Sequence, residues 1–330
     1  MLGLSLRSLG PFARSGLLML ALCVSIVGLN ALSVTWAASR AVLTAPPGEV
    51  LYAAGFDGFA EEWQQYDGRL SAQIADGVLR LSVDDAPAAI YSLAAPHFKD
   101  FDLHVQATAT HGPIDNAFGV IFRFNKRSGA CDMPLLILCD LAQVPLLGVP
   151  LRLIFRPSAG DAEAYYMFLI SADGYYSLWQ AAESPSGTQA RRVSAWIASD
   201  LINQGLNSSN DLRVLAVGDT FRFYINGTLV PLCLPDDPNA QSTYSGGQCI
   251  GGRMTDTWIS ADSAVGQVGF VAQSTLSGGS GVVVEFDNLR IFSPSPDQEG
   301  QLRRDSCEGI SAHVGVSAEP SRDRQHGPSI

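Results

Sequence analysis

The stretch VVVEFDNLRIF, residues 282–292, decides how this chain folds. Val282, Val284 and Phe286 alternate with Val283, Glu285 and Asp287, the period of a strand with one face buried. Leu289 and Ile291 continue the apolar series in the opposite phase. One residue must therefore be absorbed at Asp287-Asn288, which is the mark of a β-bulge or strand bend. Asp and Asn suit such a place because their short side chains bond to nearby backbone. The stretch reads as a strand that closes a sandwich.

Working outward, Val50 to Phe292 is strand after strand with almost no helical period. LSAQIADGVLRLSV (70–83) turns at Asp76-Gly77 and YYMFLISADGYYSLWQ (165–180) at Asp173-Gly174. LRVLAVGDTFRFYINGTLV (212–230) turns at Gly218-Asp219 and again at Asn226-Gly227. Such pairs between alternating runs are hairpin signals. Many short antiparallel strands at this spacing predict an all-β, two-sheet jelly-roll sandwich over 50–293. Two insertions interrupt it. Residues 126–162 hold the apolar MPLLILCDLAQVPLLGVPLRLIF, in which Asp140, Arg152 and three prolines forbid an uninterrupted membrane span, so a loop packed on the domain is expected. Residues 232–263 are polar and Gly-rich. The tail, 294–330, has the composition of a disordered segment.

The chain carries a net charge of −11 with 16% charged residues, and its only lysines are Lys99 and Lys126. An acidic balance without a basic stripe argues against nucleic acid and anionic membrane surfaces as partners. Residues 1–37 read as a targeting segment. Arg7 and Arg14 precede an apolar run from Gly16 to Val34, and Thr35 to Ala37 offers small residues for a signal peptidase. The run has the length of either a cleaved signal or a retained anchor. Both put the domain outside the cytoplasm, after a linker over 38–49. In that setting Cys131 with Cys139, and Cys233 with Cys249, each bracket an insertion and are expected to form local disulfides, leaving Cys307 over.

The succession FGVIFRF, YYMFLISADGYYSLW, GDTFRFYINGTLV, VGQVGFVAQ and VEFDNLRIF resembles the concanavalin A-like lectin/glucanase superfamily. It is most similar to bacterial laminin-G-like and 3-keto-disaccharide hydrolase-like modules, over about residues 50–293. The resemblance implies a jelly roll whose concave face holds a glycan.

Glu285 and Asp287 are the first candidates for chemistry. Residues i and i+2 of a strand lie about 6.6–7 Å apart, inside the roughly 5–9.5 Å that glycosidase carboxylates use. The glycoside hydrolase family 16 pattern resembles Glu-x-Asp-x-Glu, and here its last position is Leu289, or Arg290 with a bulge. Legume lectins carry a similar VEFDT on manganese and calcium, but LRIFSPSP follows here with no oxygen cluster. A calcium site at Asp287, or in the loop of Asp236, Asp237 and Asn239, is one reading. Solvated carboxylates and a turn are the other. The 3-keto-disaccharide hydrolase-like pattern has a strand similar to NAFGVIFR (116–123), where Arg123 alternates with Phe122 and Phe124 and so points off the core. Its polar groove residues are replaced here by YYMFLIS. For sugar stacking and hydroxyl bonding the pool is Arg123, Tyr166, Tyr176, Trp179, Arg222 and Tyr224, with Trp196 and Arg213 beside them. Trp63 is read as packing of the opening strand. The leading expectation is an exported, non-catalytic glycan- or surface-binding module. A glycoside hydrolase and a purely structural ectodomain are its alternatives.

Overall fold

The computed structural model describes residues 41–58, 62–84, 88–127, 162–184, 187–237, 239–274 and 281–302. The targeting segment, Cys131, Cys139 and Cys307 lie outside them.

The chain opens with β1 (Val50–Ala54) and the hairpin β2 (Leu70–Ala75) and β3 (Val78–Val83). Asp76 and Gly77 both take positive φ, 56° and 79°, as a two-residue hairpin turn requires. Three long strands follow: β4 (Ala88–Phe98), β5 (Phe101–His111) and β6 (Ala117–Arg127). Next come β7 (Ala162–Ser171), β8 (Tyr175–Ser184), β9 (Gly187–Arg192) and the short β10 (Ile197–Ala198). A meander is formed by β11 (Ser209–Val217), β12 (Thr220–Ile225) and β13 (Thr228–Leu229). Five short strands are β14 (Leu232–Pro235), β15 (Thr243–Ser245), β16 (Gln248–Ile250), β17 (Gly252–Thr255) and β18 (Trp258–Ile259). The set ends with β19 (Gly266–Ser274) and β20 (Val282–Phe292).

Sixteen of these strands build two antiparallel sheets. One runs β13-β12-β11-β5-β20-β3-β2, with β1 added to β20 and β18 to β12. The other runs β10-β8-β7-β6-β19-β4, with β9 added to β8. Their inner faces interleave in one core, as alternating strands dictate. At its centre Phe286 of β20 stacks on Phe270 of β19, with ring centroids 4.4 Å apart, and Trp63 stacks on Phe270 from beyond at 5.1 Å. Trp63 is thus buried packing.

The bulge falls where the phase slip puts it. Val282, Val284 and Phe286 are buried, then Leu289 and Ile291, and Asn288 sits at φ 53°. The register with β5 shifts between Asp287 and Arg290. The bulge also divides one edge of β20, which pairs with β3 through Phe286 and with β1 from Leu289 on.

Three stretches carry more structure than their composition suggests. Residues 41–49 are attached to the fold rather than a free linker: Leu43 N–H donates to the His97 carbonyl at 3.0 Å and Gly48 N–H to that of Ser293 at 2.9 Å. The stretch 232–263 is itself β-structure, because β14 pairs with β17 and β15 with β16. Cys233 and Cys249 are disulfide-bonded there, as expected. In the tail, 296–302 are helical, not disordered. Leu302 is buried against Leu215, Val217 and Tyr224, and that burial gives a short helix the tertiary support its composition hides.

Candidate functional site

The outer face of the seven-stranded sheet carries a second apolar cluster: Leu93, Ala117, Ile121, Phe124, Met167, Leu169 and Val271, flanked by Tyr91, Tyr165, Trp179 and Trp196. A bulge makes part of it. The β6–β7 register shifts between Phe122 and Asn125, and Arg123 takes φ 56°. That extra residue turns Arg123 into the sandwich and Phe124 out of it. The close approach of β19 to the bulge needs glycine at 266, since a Cβ there would lie 2.4 Å from the Arg123 carbonyl carbon.

Phe124, so turned, stacks on Tyr165 of β7 at 5.3 Å, and Tyr91 of β4 packs on both rings at 5.6 and 6.4 Å. The Tyr91 hydroxyl donates to Glu163 Oε1 at 3.1 Å. Burial first, and the Glu163 charge second, raise the phenol pKa of Tyr91 and of Tyr165. Tyr66 is 42% exposed. Its phenol is raised by burial and by Glu163, against the opposing charge of exposed Lys126. These phenols stay protonated at neutral pH; those of Tyr91 and Tyr66 already donate to Glu163 and Gln64, at 3.1 and 2.7 Å, and meet a ligand as acceptors. Aromatic faces with a carboxylate acceptor and an ammonium donor at the rim can stack on a sugar ring and bond to its hydroxyls.

The residues singled out from the sequence are distributed over four places. Trp179 lies on the face just described. Arg123 is buried, against the expectation that it points off the core: Nη2 donates to the Gly218 carbonyl at 3.0 Å. Its guanidinium lies 5.7 Å from the ring centres of both Phe101 and Phe221. Burial lowers its pKa to about 10, against the pull of Asp100, so it remains a cation. Tyr166 is also inward, sharing a 2.9 Å hydrogen bond with Ser260 Oγ and packing edge-on against Trp258 at 4.7 Å. It belongs to a network in which Gln180 donates to Asp262 at 2.6 Å and accepts from Arg191. Tyr176 is core, with its hydroxyl on the Pro231 carbonyl at 2.7 Å.

Arg222 and Tyr224 do point away from the core, onto the outer face of the nine-stranded sheet, and Arg222 is nevertheless buried there. Arg213 lies over the Tyr224 ring at 4.3 Å and grips Asp102 with two bonds of 2.7 and 2.8 Å. Burial alone would raise the Asp102 carboxyl. Hydrogen bonds from His104 and Arg213 outweigh it and hold the pKa at about 2. Gln298, in the C-terminal helix, donates to the same carboxylate at 2.8 Å. This face is therefore occupied by the chain's own tail.

The remaining carboxylates are engaged locally. Glu285 Oε1 accepts two bonds from Arg80, directly opposite on β3, at 2.8 and 3.0 Å. Asp287 accepts from the backbone and side-chain nitrogens of Asn288. Asp237 accepts from the Asn239 backbone, closing a turn, and Asp236 stands 3.9 Å from Arg253. Asp287 is on the nine-stranded sheet, whereas Asp236, Asp237 and Asn239 are at the β14–β17 ribbon, so these four do not converge. Among the described residues no group of three His, Cys, Asp or Glu is placed to hold a metal. No helix among them is long and apolar enough to cross a membrane.

The aromatic edge formed by Tyr66, Tyr91, Phe124, Tyr165 and Glu163 was not legible as a group. Tyr165-Tyr166 offers one ring to each face, and only the strand's phase says which goes out. The nearest available signal was Tyr91, alternating against buried Ile90.

No protein-family profile and no curated protein matches the chain. Among solved structures it is similar to the carbohydrate-binding module CBM66 from Bacillus subtilis at 14% identity, over 70% of this chain and 96% of that one, with a TM-score of 0.40. A Bacillus subtilis protein of unknown function with a galectin-like fold matches at 14% identity over 76% and 98%, TM-score 0.42. A Bacillus licheniformis beta-glucanase matches at 8% identity over 76% and 99%, TM-score 0.37. These are likenesses of fold at low identity. The reading of function rests on this chain's own side chains.

Proposed function

We propose that this is an exported, non-catalytic sandwich module that binds a glycan at the tyrosine edge of its seven-stranded sheet. One observation carries the reading: Tyr91 and Tyr165, braced by the buried Phe124 ring, form a contiguous aromatic platform with Glu163 bonded to Tyr91 and part-exposed Tyr66 beside it. Rigid rings supply contact area at low entropic cost, and the polar rim supplies orientation. Glycoside hydrolysis needs two carboxylates across a scissile bond. Glu285 is held by Arg80 and Asp287 by its own bulge, which favours binding over cleavage. The Cys233–Cys249 disulfide supports an oxidising, extracytoplasmic setting.

The test is a glycan array probed with the full chain, with and without calcium, followed by product analysis on each bound glycan. The reading predicts binding to at least one glycan, no released product, and a loss of tenfold or more in affinity for Tyr165→Ala. Binding to none, or cleavage of a bound glycan, overturns it.

A further inference from the structure

The two bonded phenols of the tyrosine edge offer a ligand lone pairs. Tyr91 commits its hydroxyl proton to Glu163 Oε1 and Tyr66 commits its own to Gln64 Oε1, so each phenol oxygen is left to accept. Half-buried Glu163 is a carboxylate with a second oxygen and further lone pairs beyond that one bond. Its backbone N–H is committed as well, to Thr188 Oγ1 at 3.1 Å. Ring faces add to this negative character. The centroids of Tyr91 and Tyr165 lie 6.4 Å apart, with Phe124 packed against both. The Glu163 charge acts on the phenols of Tyr66, Tyr91 and Tyr165 alike, which places one anion among three rings. Aromatic faces attract a cation held within about 6 Å of the ring centre. Lys126, exposed and directly opposite Glu163 in the β6–β7 register, offsets part of the charge from the rim.

We propose that the sugar unit held at this edge is an amino sugar with a free, protonated amine, its ammonium on Glu163 and against the faces of Tyr91 and Tyr165. The inference rests on the reading of the edge as a glycan site and adds the class of sugar. An ammonium brings three donors and a positive charge to a set of acceptors and ring faces. An N-acetyl group brings one donor, and its carbonyl would meet those acceptors unpaired. A hydroxyl brings one neutral donor, and charge-assisted bonds are the stronger kind. The net charge of −11 favours the approach of a cationic ligand in the same sense.

The test uses three methyl glycosides of glucose that differ only at C2, which carries a free amine, an N-acetylated amine or the hydroxyl. Each is titrated into the full chain at mildly acidic pH, where the amine is charged, and followed by NMR. The free amine should bind at least about tenfold tighter than either of the others. Glu163→Gln keeps an oxygen for the Tyr91 hydroxyl but loses the charge, and should bring the three ligands within about twofold of one another. Lys126→Gln removes the opposing cation and should strengthen amine binding. Glu49→Gln makes the same charge change at an exposed carboxylate elsewhere and should leave the preference intact. If it erases the preference as Glu163→Gln does, the attraction is that of the acidic chain as a whole and the proposal falls. Equal or tighter binding of the N-acetyl or hydroxyl compound, or no binding of the amine, overturns it too. So does tighter binding of choline than of the amine, which would assign the edge to a quaternary ammonium. Binding of a neutral glycan that Tyr165→Ala abolishes, with no preference for the amine, refutes this inference and keeps the functional reading. A preference for the amine that Tyr165→Ala leaves intact refutes both.

Discussion

Arg123 sets the terms at the scale of single residues. A cation wholly out of water is costly unless its surroundings repay it. Here two aromatic faces, one carbonyl and a carboxylate 4.0 Å away do so. Arg123→Ala leaves a void between Phe101 and Phe221 and is predicted to cost about 2–5 kcal/mol, read as a lower urea midpoint. Arg123→Met, which refills the space without charge, should cost less than half of that. Asp102 gives the pH dependence. Its folded pKa of about 2 lies below the ordinary 3.8, so its contribution is fully present above the unfolded value and is lost as pH falls through the folded one. The shift corresponds to about 2 kcal/mol at neutral pH. Thermal melts between pH 5 and pH 2 should show that loss in the wild type and a shallower slope in Asp102→Asn.

At the scale of elements the two bulges explain what could and could not be read in advance. The bulge in β20 was legible because its strand is apolar on one face only, so a slip leaves a visible change of phase at Asp287-Asn288. The bulge in β6 was hidden. FGVIFRFN is apolar on both sides of the sheet, Phe122 and Phe124 look alike, and a strand buried on both faces carries no phase to break. Arg123 was therefore assigned to the wrong side, and Phe124 with it. Asn288 tests the first bulge. Its φ of 53° suits Asn or Gly, so Asn288→Gly should change stability by a few tenths of a kcal/mol, while Asn288→Val should cost about 1–3 kcal/mol. The disulfide belongs to this scale as well. Cys233 and Cys249, 16 residues apart, tie β14 to β16. Opening that loop with Cys249→Ser should cost about 3 kcal/mol, seen as a lower melting temperature under oxidising conditions.

Across the whole molecule the two outer faces decide what is available to a ligand. The nine-stranded sheet was a reasonable place to look, since Arg222 and Tyr224 do point outward, but Leu302 and Gln298 of the tail pack on that face. A tail of polar composition gave no sign of it, because one buried leucine and one glutamine do the docking. The hairpin turns and the two-sheet division were legible from alternation and turn chemistry. The grouping of Tyr66, Tyr91, Phe124, Tyr165 and Glu163 was not, since four separated segments and one unseen bulge assemble it. The account's central claim is that this edge, and neither the carboxylates of β20 nor the Arg213–Tyr224 face, meets the glycan. The most direct measurement is a calorimetric titration of an array-identified glycan into the wild type, Tyr165→Ala, Glu285→Gln and Tyr224→Ala. The account predicts that Tyr165→Ala weakens binding at least tenfold while the other two stay within about twofold of the wild type. Undiminished binding by Tyr165→Ala, or a loss confined to Glu285→Gln or Tyr224→Ala, would contradict it.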